Sequence, residues 1–261
     1  MSEYDVGTKS LKLEREGPIL WCRIDRPKAR NALTPAMYFG IKRAVRLVNS
    51  FKEPCALVIT GTDDVFAPGG DLGGRYEEGD EKVPEGLTYE SLPFVAIRES
   101  IQPVVSAVNG ICQAGGLLIA MMSDVAVVSE RATFRVPELL RGIIDASYAA
   151  MLPAHVGLAQ ARDLLLTAKK IDAAEAYRMG LFSRLVPHDD LREAAVRAAC
   201  EILRTAPEAR AHTKRMLNQQ YGAIDYETMF ANLAFGREPR EGMRAFMEKR
   251  EPDWVPGDLP A

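Results

Sequence analysis

Transition-metal ligands are scarce: the 261 residues include four cysteines and three histidines. Cys22, Cys55, Cys112 and Cys200 stand far apart with no C-x-x-C pair among them, and His155, His188 and His212 are as widely scattered. This spacing argues against a zinc site and for a reducing compartment, so no metal is expected and the cytoplasm is the expected location. Long apolar runs are also missing. The longest strongly apolar stretch, Leu117 to Met122, falls far short of the ~20 residues that cross a bilayer, so no membrane span is expected. The opening MSEYDVGTKS has acidic residues and no apolar core, unlike a secretory signal or an Arg-rich transit peptide. Nor is there a surplus of positive charge: 33 basic residues face 36 acidic ones, giving −3. A general attraction for DNA or anionic lipid is thereby excluded, and any nucleic-acid contact has to come from a local patch.

What remains is 47% hydrophobic and 26% charged, an ordinary globular composition. At this length a compact fold buries roughly 70–75% of the surface its unfolded chain exposes, so no disulfide or metal is needed to hold it. In the first half, strand-like and helix-like segments alternate. Pro18 to Ile24 is apolar and leads into RPKARNAL; Thr34 is placed to cap a helix that begins at Pro35, and Tyr38, Ile41, Val45 and Val48 then share one face. CALVITG and PVVSAVNG read as buried strands, Gly115-Gly116 opens an apolar helix, and Val125 to Ser129 is a further strand. The second half reads as mostly helical. Asp172 and Glu175 form a capping-box pattern with Gly180 as the stop, and helices are expected at about 191–205, 208–219 and 226–250, the last broken near Pro239. The expectation is an α/β core over residues 1–198 and a helical region over 199–261. Between Leu72 and Leu92, Glu77, Glu78, Asp80, Glu81, Glu85 and Glu90 are mixed with glycines and Pro84, a composition that favours a mobile loop.

Two glycine clusters each follow an expected strand: LVITGTDDVFAPGGDLGG at 57–74 and VVSAVNGICQAGGLLIA at 104–120. Paired glycines at strand ends either make tight turns or aim backbone N–H groups into a cleft. An N–H opening the helix at Gly115 also lies at the positive end of its dipole. Gly69 to Gly74 has the frame of a phosphate loop, but Arg75 and Tyr76 follow where Lys and Ser or Thr are required, and neither G-x-G-x-x-G nor G-x-S-x-G occurs. Nucleotide hydrolysis, dinucleotide binding and the serine-hydrolase elbow lose their support.

Taken in order, IDRPKARNAL, LVITGTDDVFAPGGDL, AVNGICQAGG, SDVAVVSERATFRVPELLRGI, LLLTAKKIDAAEAYRMGLFSRLVP and EGMRAFMEKREP resemble the enoyl-CoA hydratase/isomerase family, the crotonase superfamily. The resemblance runs through nearly the whole chain. It implies a crotonase-like (ClpP/crotonase) α/β spiral of ββα repeats, a C-terminal helical assembly region, and homotrimers that often pair into hexamers. It also implies an acyl-CoA thioester substrate, with coenzyme A entering as part of that substrate and no separate cofactor. In the family a thioester enolate is held by two backbone N–H groups, which by motif position are those of Gly70 and Gly115. Preorganised donors of this kind contribute ~3–4 kcal/mol each to the transition state. By the same resemblance Lys28, Ala29 and Arg30 lie along the CoA nucleotide, while Phe246 and Lys249 belong to a helix that in relatives approaches CoA across a subunit boundary. Without the resemblance, the first group reads as a solvated turn and the second as a core aromatic and a surface cation.

Hydratases of this family use two glutamates to deprotonate water and to protonate the α-carbon. Glu138 in VPELLRG matches the second of these positions; the first falls on Leu118, which exchanges no proton. One carboxylate suffices to carry a proton from one carbon to another, so the expected reaction is double-bond isomerisation with Glu138 as the shuttle. Asp145 is either a second acid/base or nucleophile, as in dienoyl-CoA isomerases and a chlorobenzoyl-CoA dehalogenase at a similar offset, or an Asx turn or helix cap. The dehalogenase's tryptophan has no counterpart here. Two alternatives stand beside isomerisation. One is hydration of an unusual substrate with Asp145 or a bound water assisting. The other is a non-catalytic homologue that holds acyl-CoA, or holds RNA through Lys42, Arg43, Arg46 and Lys52. RNA is not expected, because that face reads more simply as a solvated amphipathic helix. Asp71 is expected to hold the first glycine loop.

Overall fold

The computed structural model describes residues 4–73, 76–83, 92–221 and 224–255. Pairs of strands followed by a helix dominate its first half. β1 (Leu11–Glu16) and β2 (Ile19–Ile24) precede α1 (Pro35–Ser50); β3 (Ala56–Thr60) and β4 (Val65–Ala67) precede α2 (Pro93–Arg98). β5 (Val104–Val108) and β6 (Ile111–Gln113) precede α3 (Gly115–Met122), and β7 (Val125–Ser129) and β8 (Thr133–Arg135) precede α4 (Ala146–Thr167). The expected ββα repeat is therefore observed. Next come β9 (Ile171–Asp172), α5 (Ala173–Arg178), β10 (Arg184–Val186), α6 (Leu191–Leu203), α7 (Pro207–Asn218), α8 (Tyr226–Phe235) and α9 (Arg237–Glu248).

The first sheet has the order β1-β2-β3-β5-β7-β10, antiparallel at β1/β2 and parallel elsewhere. β4, β6 and β8 leave it for a second sheet, ordered β4-β6-β8-β9, with β9 antiparallel. Each of those three strands has three residues, too few to display a period, and the sequence pattern does not reveal them. The longer strands alternate as a two-sided sheet requires. Leu57 and Ile59 of β3 join the core that contains Ile41, Val45 and Val48 of α1, whereas Ala56 and Val58 face α6.

Local signals act where they were read. The Thr34 hydroxyl accepts the Met37 N–H and Pro35 occupies the first turn of α1, and Asp172 caps α5 through the Glu175 N–H at 2.8 Å. The break in the last helix comes at Gly236, and Pro239 lies in the first turn of α9, where an absent N–H costs no helical bond. The division expected at 198/199 is placed within a helix. It falls inside α6, whose Ala194, Ala195, Ala198 and Ala199 form a flat face on Val58, Val105 and Val127. α6 belongs to the core, and the C-terminal helices begin after it.

The acidic stretch is irregular over its described residues, 76–83, and reaches partners remote in sequence. Asp80 accepts the Thr8 hydroxyl at 2.6 Å and the Glu77 N–H at 2.9 Å, Glu77 meets Arg26 at 2.6 Å, and Glu81 pairs with Arg43 at 2.5 Å. Composition predicts a loose loop because it ignores such long-range partners. Residues 74–75 and 84–91, including Glu85 and Glu90, lie outside the described residues. Behind the sheet, Lys214 of α7 sits 2.8 Å from Asp124 and donates to the Ser100 carbonyl at 2.7 Å. Cys22, Cys55 and Cys112 are buried free thiols and Cys200 is free and half-buried. Among the described residues no helix is long and apolar enough to cross a membrane.

Candidate active site

The RPKARNAL turn is strapped to the first glycine loop. Arg26, 7% exposed, donates to Asp71 Oδ2 at 2.8 Å and to the Ala32 carbonyl at 2.9 Å, and the other Asp71 oxygen accepts the Gly73 N–H at 2.9 Å. Asp71 thus holds the loop as expected. Asn31, with φ +60°, accepts the Arg26 N–H and donates to the Val65 carbonyl at 2.8 Å. The chain then reaches Leu33, whose N–H donates to the Gly69 carbonyl at 2.9 Å and whose carbonyl accepts the Asp71 N–H at 2.8 Å. A trans peptide carries its C=O and N–H on opposite sides. With the Gly69 carbonyl turned to Leu33, the Gly70 N–H must point the other way.

The second loop repeats this arrangement. Tyr148, fully buried on α4, donates its O–H to the Ala114 carbonyl at 2.6 Å, and the Leu118 N–H donates to the same carbonyl at 3.1 Å. The Gly115 N–H therefore points away from Tyr148, at the start of α3, where it also lies at the positive end of the helix. The two loops adjoin: a Cβ built on Gly69 would lie 2.6 Å from Ala114 Cβ and 3.7 Å from Gly115 N. Neither N–H has an acceptor among the described residues. Ala114 itself adopts φ +48° and ψ −131°, a conformation that disfavours any side chain. We expect Ala114→Gly to raise the unfolding free energy by about 1 kcal/mol, the relieved strain exceeding the added unfolded-state entropy. A urea midpoint no higher than that of the parent would show that the loop stores no strain there.

Glu138 opens a 3-10 turn, Glu138–Arg141, directly after β8. One carboxyl oxygen, Oε2, is buried with no hydrogen-bond partner. Burial, and secondarily the negative charge of Asp145, push this carboxyl up to about 8, against a smaller pull from Arg141. Asp145 is the N-cap of α4, its Oδ1 accepting the Ser147 N–H at 2.9 Å and the Tyr148 N–H at 3.2 Å. The phenols of Tyr38 and Tyr148 are likewise held above their ordinary pKa by burial and then by the charges of Glu138 and Asp145. These four groups share one electrostatic neighbourhood beside the glycine loops. Leu118 is buried in the apolar core.

Over residues 14–256 the chain matches the model of the enoyl-CoA hydratase/isomerase family. It belongs to that family. A mevalonyl-coenzyme A hydratase from Aspergillus fumigatus is 32% identical over 252 residues, 92% of this chain and 93% of that protein. The crystal structure of an enoyl-CoA hydratase/isomerase from Pseudoalteromonas atlantica superposes with a TM-score of 0.82 at 28% identity, covering 95% of this chain and all of the other. A carnitinyl-CoA hydratase from Mycobacterium avium gives 0.80 at 30% identity, covering 95% and 98%. The fold is the crotonase fold, and the chain is an enzyme of the acyl-CoA hydratase/isomerase class.

The remaining expected site residues of this family member lie on two other elements. Pro27–Ala29 forms a 3-10 turn in which Lys28 is exposed and Ala29 half-buried; Arg30 follows in the left-handed region and pairs loosely with Asp64. This turn leads straight into Leu33 and the first glycine loop. Phe246 and the exposed Lys249 lie at the end of α9, which docks on the Glu138 turn of its own chain. A Cβ on Gly242 would come within 2.6 Å of Arg141 Cα, and the Arg141 guanidinium lies 4.6 Å above the Phe246 ring. Two residues at the site escaped the sequence reading, Tyr38 and Tyr148. Tyr38 was absorbed into the apolar face of α1; its hydroxyl, among Ile and Val neighbours, was the signal that a polar partner had to be found for it.

Proposed function

We propose that this enzyme forms the enolate of an acyl-CoA thioester between the Gly70 and Gly115 N–H groups and shifts a double bond, with Glu138 carrying the proton. The observation that carries this reading is the pair of N–H groups, each held from behind through its peptide carbonyl and each without an acceptor, next to a buried carboxyl with a free oxygen. The Glu138 carboxylate takes a proton from C2 of a 3-enoyl thioester, the electron pair moves onto the thioester oxygen, and the same proton is delivered to C4. A 2-enoyl thioester results, with Glu138 returned to its starting state. Leu118 contributes no second carboxyl, and Asp145 caps α4 through its Oδ1. Coenzyme A enters with the substrate, its nucleotide along Lys28, Ala29 and Arg30. Assembly as a trimer or hexamer is part of the reading, supported by the exposed Met216, Leu217, Phe235 and Met247 on the C-terminal helices.

The names of relatives favour a second reading, in which water adds to the double bond. A panel of 2-enoyl- and 3-enoyl-CoA thioesters, scored separately for double-bond migration, water addition and thioester loss, separates the two. Migration as the dominant reaction is expected; a dominant water adduct displaces it. The pH profile gives a further prediction. Because Asp145 raises the Glu138 carboxyl, Asp145→Asn should move the rise of kcat/KM to lower pH. Asparagine caps a helix about as well as aspartate, so the melting temperature should change little. A rise that stays in place would mean that the Asp145 charge does not reach the base.

A further inference from the structure

Tyr38 projects from α1 to the point where the two glycine loops meet. Its ring is fixed edge-on against Phe94 of α2, with centroids 6.0 Å apart. A Cβ placed on Gly115 would overlap the Tyr38 hydroxyl and lie 3.0 Å from its Cζ, and one placed on Gly70 would lie 3.7 Å from the same hydroxyl. Gly115 has no left-handed φ to explain it. What demands glycine there is the close approach of the phenol. Among the described residues the hydroxyl has no hydrogen-bond partner, although Tyr148, the other phenol of this neighbourhood, spends its O–H on the Ala114 carbonyl.

We propose that Tyr38 is a further catalytic residue, whose O–H supplies a third hydrogen bond to the thioester oxygen held by the Gly70 and Gly115 N–H groups. The inference rests on the enolate reading and adds a side-chain donor to its two backbone donors. Burial, and then the negative charges of Glu138 and Asp145, make loss of the phenolic proton harder, so the group stays a neutral donor. A rigid donor aimed at developing negative charge acts without reorganisation at the moment of reaction. It also compensates for Leu118, because a better-stabilised enolate asks less of the single base.

The test uses the full chain with butyryl-, octanoyl- and dodecanoyl-CoA, each carrying ¹³C at the thioester carbonyl. Bound to wild type, at least one should show its C=O stretch at lower frequency than in water, and its α-protons should exchange in D₂O. In Tyr38→Phe the stretch should rise and exchange should slow by ~10²–10³-fold, the range for losing one such donor, with the dissociation constant little changed. If Tyr38→Phe fails to fold, 3-fluorotyrosine at position 38 replaces it, and this stronger donor should lower the stretch further. An unchanged stretch and exchange rate in these variants, while Glu138→Gln abolishes exchange, would remove Tyr38 and keep the enolate. Absence of both binding and exchange in wild type for all three thioesters would remove the enolate reading itself, and Tyr38 with it.

Discussion

Glu138→Gln should lower turnover on the order of 10³-fold while leaving acyl-CoA binding nearly intact. Glutamine keeps the shape of the side chain and the packing of its turn but accepts no proton, and a positioned acid/base contributes ~10²–10⁴-fold. The same substitution has an opposite effect on stability. Folded, the Glu138 carboxyl titrates at about 8; unfolded, it titrates near the ordinary glutamate value of ~4.3. Between those limits the unfolded chain releases a proton that the folded protein retains, so the stability of wild type falls as pH rises through this window. Glutamine has no proton to lose. The variant should therefore match wild type at low pH and exceed it progressively up to about pH 8, with a constant advantage beyond. Urea unfolding at several pH values, together with turnover and equilibrium binding, checks all three parts. Turnover near the wild-type rate would end the assignment of Glu138 as the proton carrier.

Lys214→Ala should cost about 3–5 kcal/mol of stability, the range for stripping one partner from a buried ion pair. Lys214 and Asp124 are 12% and 14% exposed, and burial already raises the Asp124 pKa despite the cation beside it and the Val104 N–H donating to it. Removing the ammonium leaves that carboxylate uncompensated and also frees the Ser100 carbonyl. Because Lys214 lies on α7 and its partners lie at β7 and the α2–β5 connection, the loss should loosen the C-terminal helices from the sheet. Asp124→Asn combined with Lys214→Met should recover most of the deficit, since asparagine still accepts the Val104 N–H without a charge to bury. A shift in the denaturant midpoint no larger than that of an exposed pair would show that solvent reaches the site.

The strands β2, β3, β5 and β7 and the helices α1, α3 and α5 to α9 were legible because their signals are local: a hydroxyl before a proline at Thr34, a carboxylate three residues ahead of Glu175, short and mostly apolar runs at β3, β5 and β7; β1, α2 and the length of α4 carried no such signal, and the repeat itself came with the resemblance. The glycine loops and Glu138 were legible through ordered motifs. Other features arise from contacts between residues remote in sequence. No local pattern says that Tyr148 reaches back to Ala114, that Arg26 spans to Asp71 and Glu77, or that Glu81 finds Arg43. For the same reason the boundary placed at 198/199 cut through α6, since an alanine-rich helix shows its buried face only once Val58, Val105 and Val127 lie beneath it.

The docking of α9 on the Glu138 turn has a consequence for the order in which the enzyme matures on the ribosome. Both sheets and the glycine loops are complete in the polypeptide long before Phe246 is synthesised, yet Arg141 gains its aromatic support, and Gly242 its place against the turn, only when α9 has emerged. The turn that carries Glu138 thus receives its packing partners in two instalments, the first from the strands and helices around it and the second from a helix far downstream in the same chain.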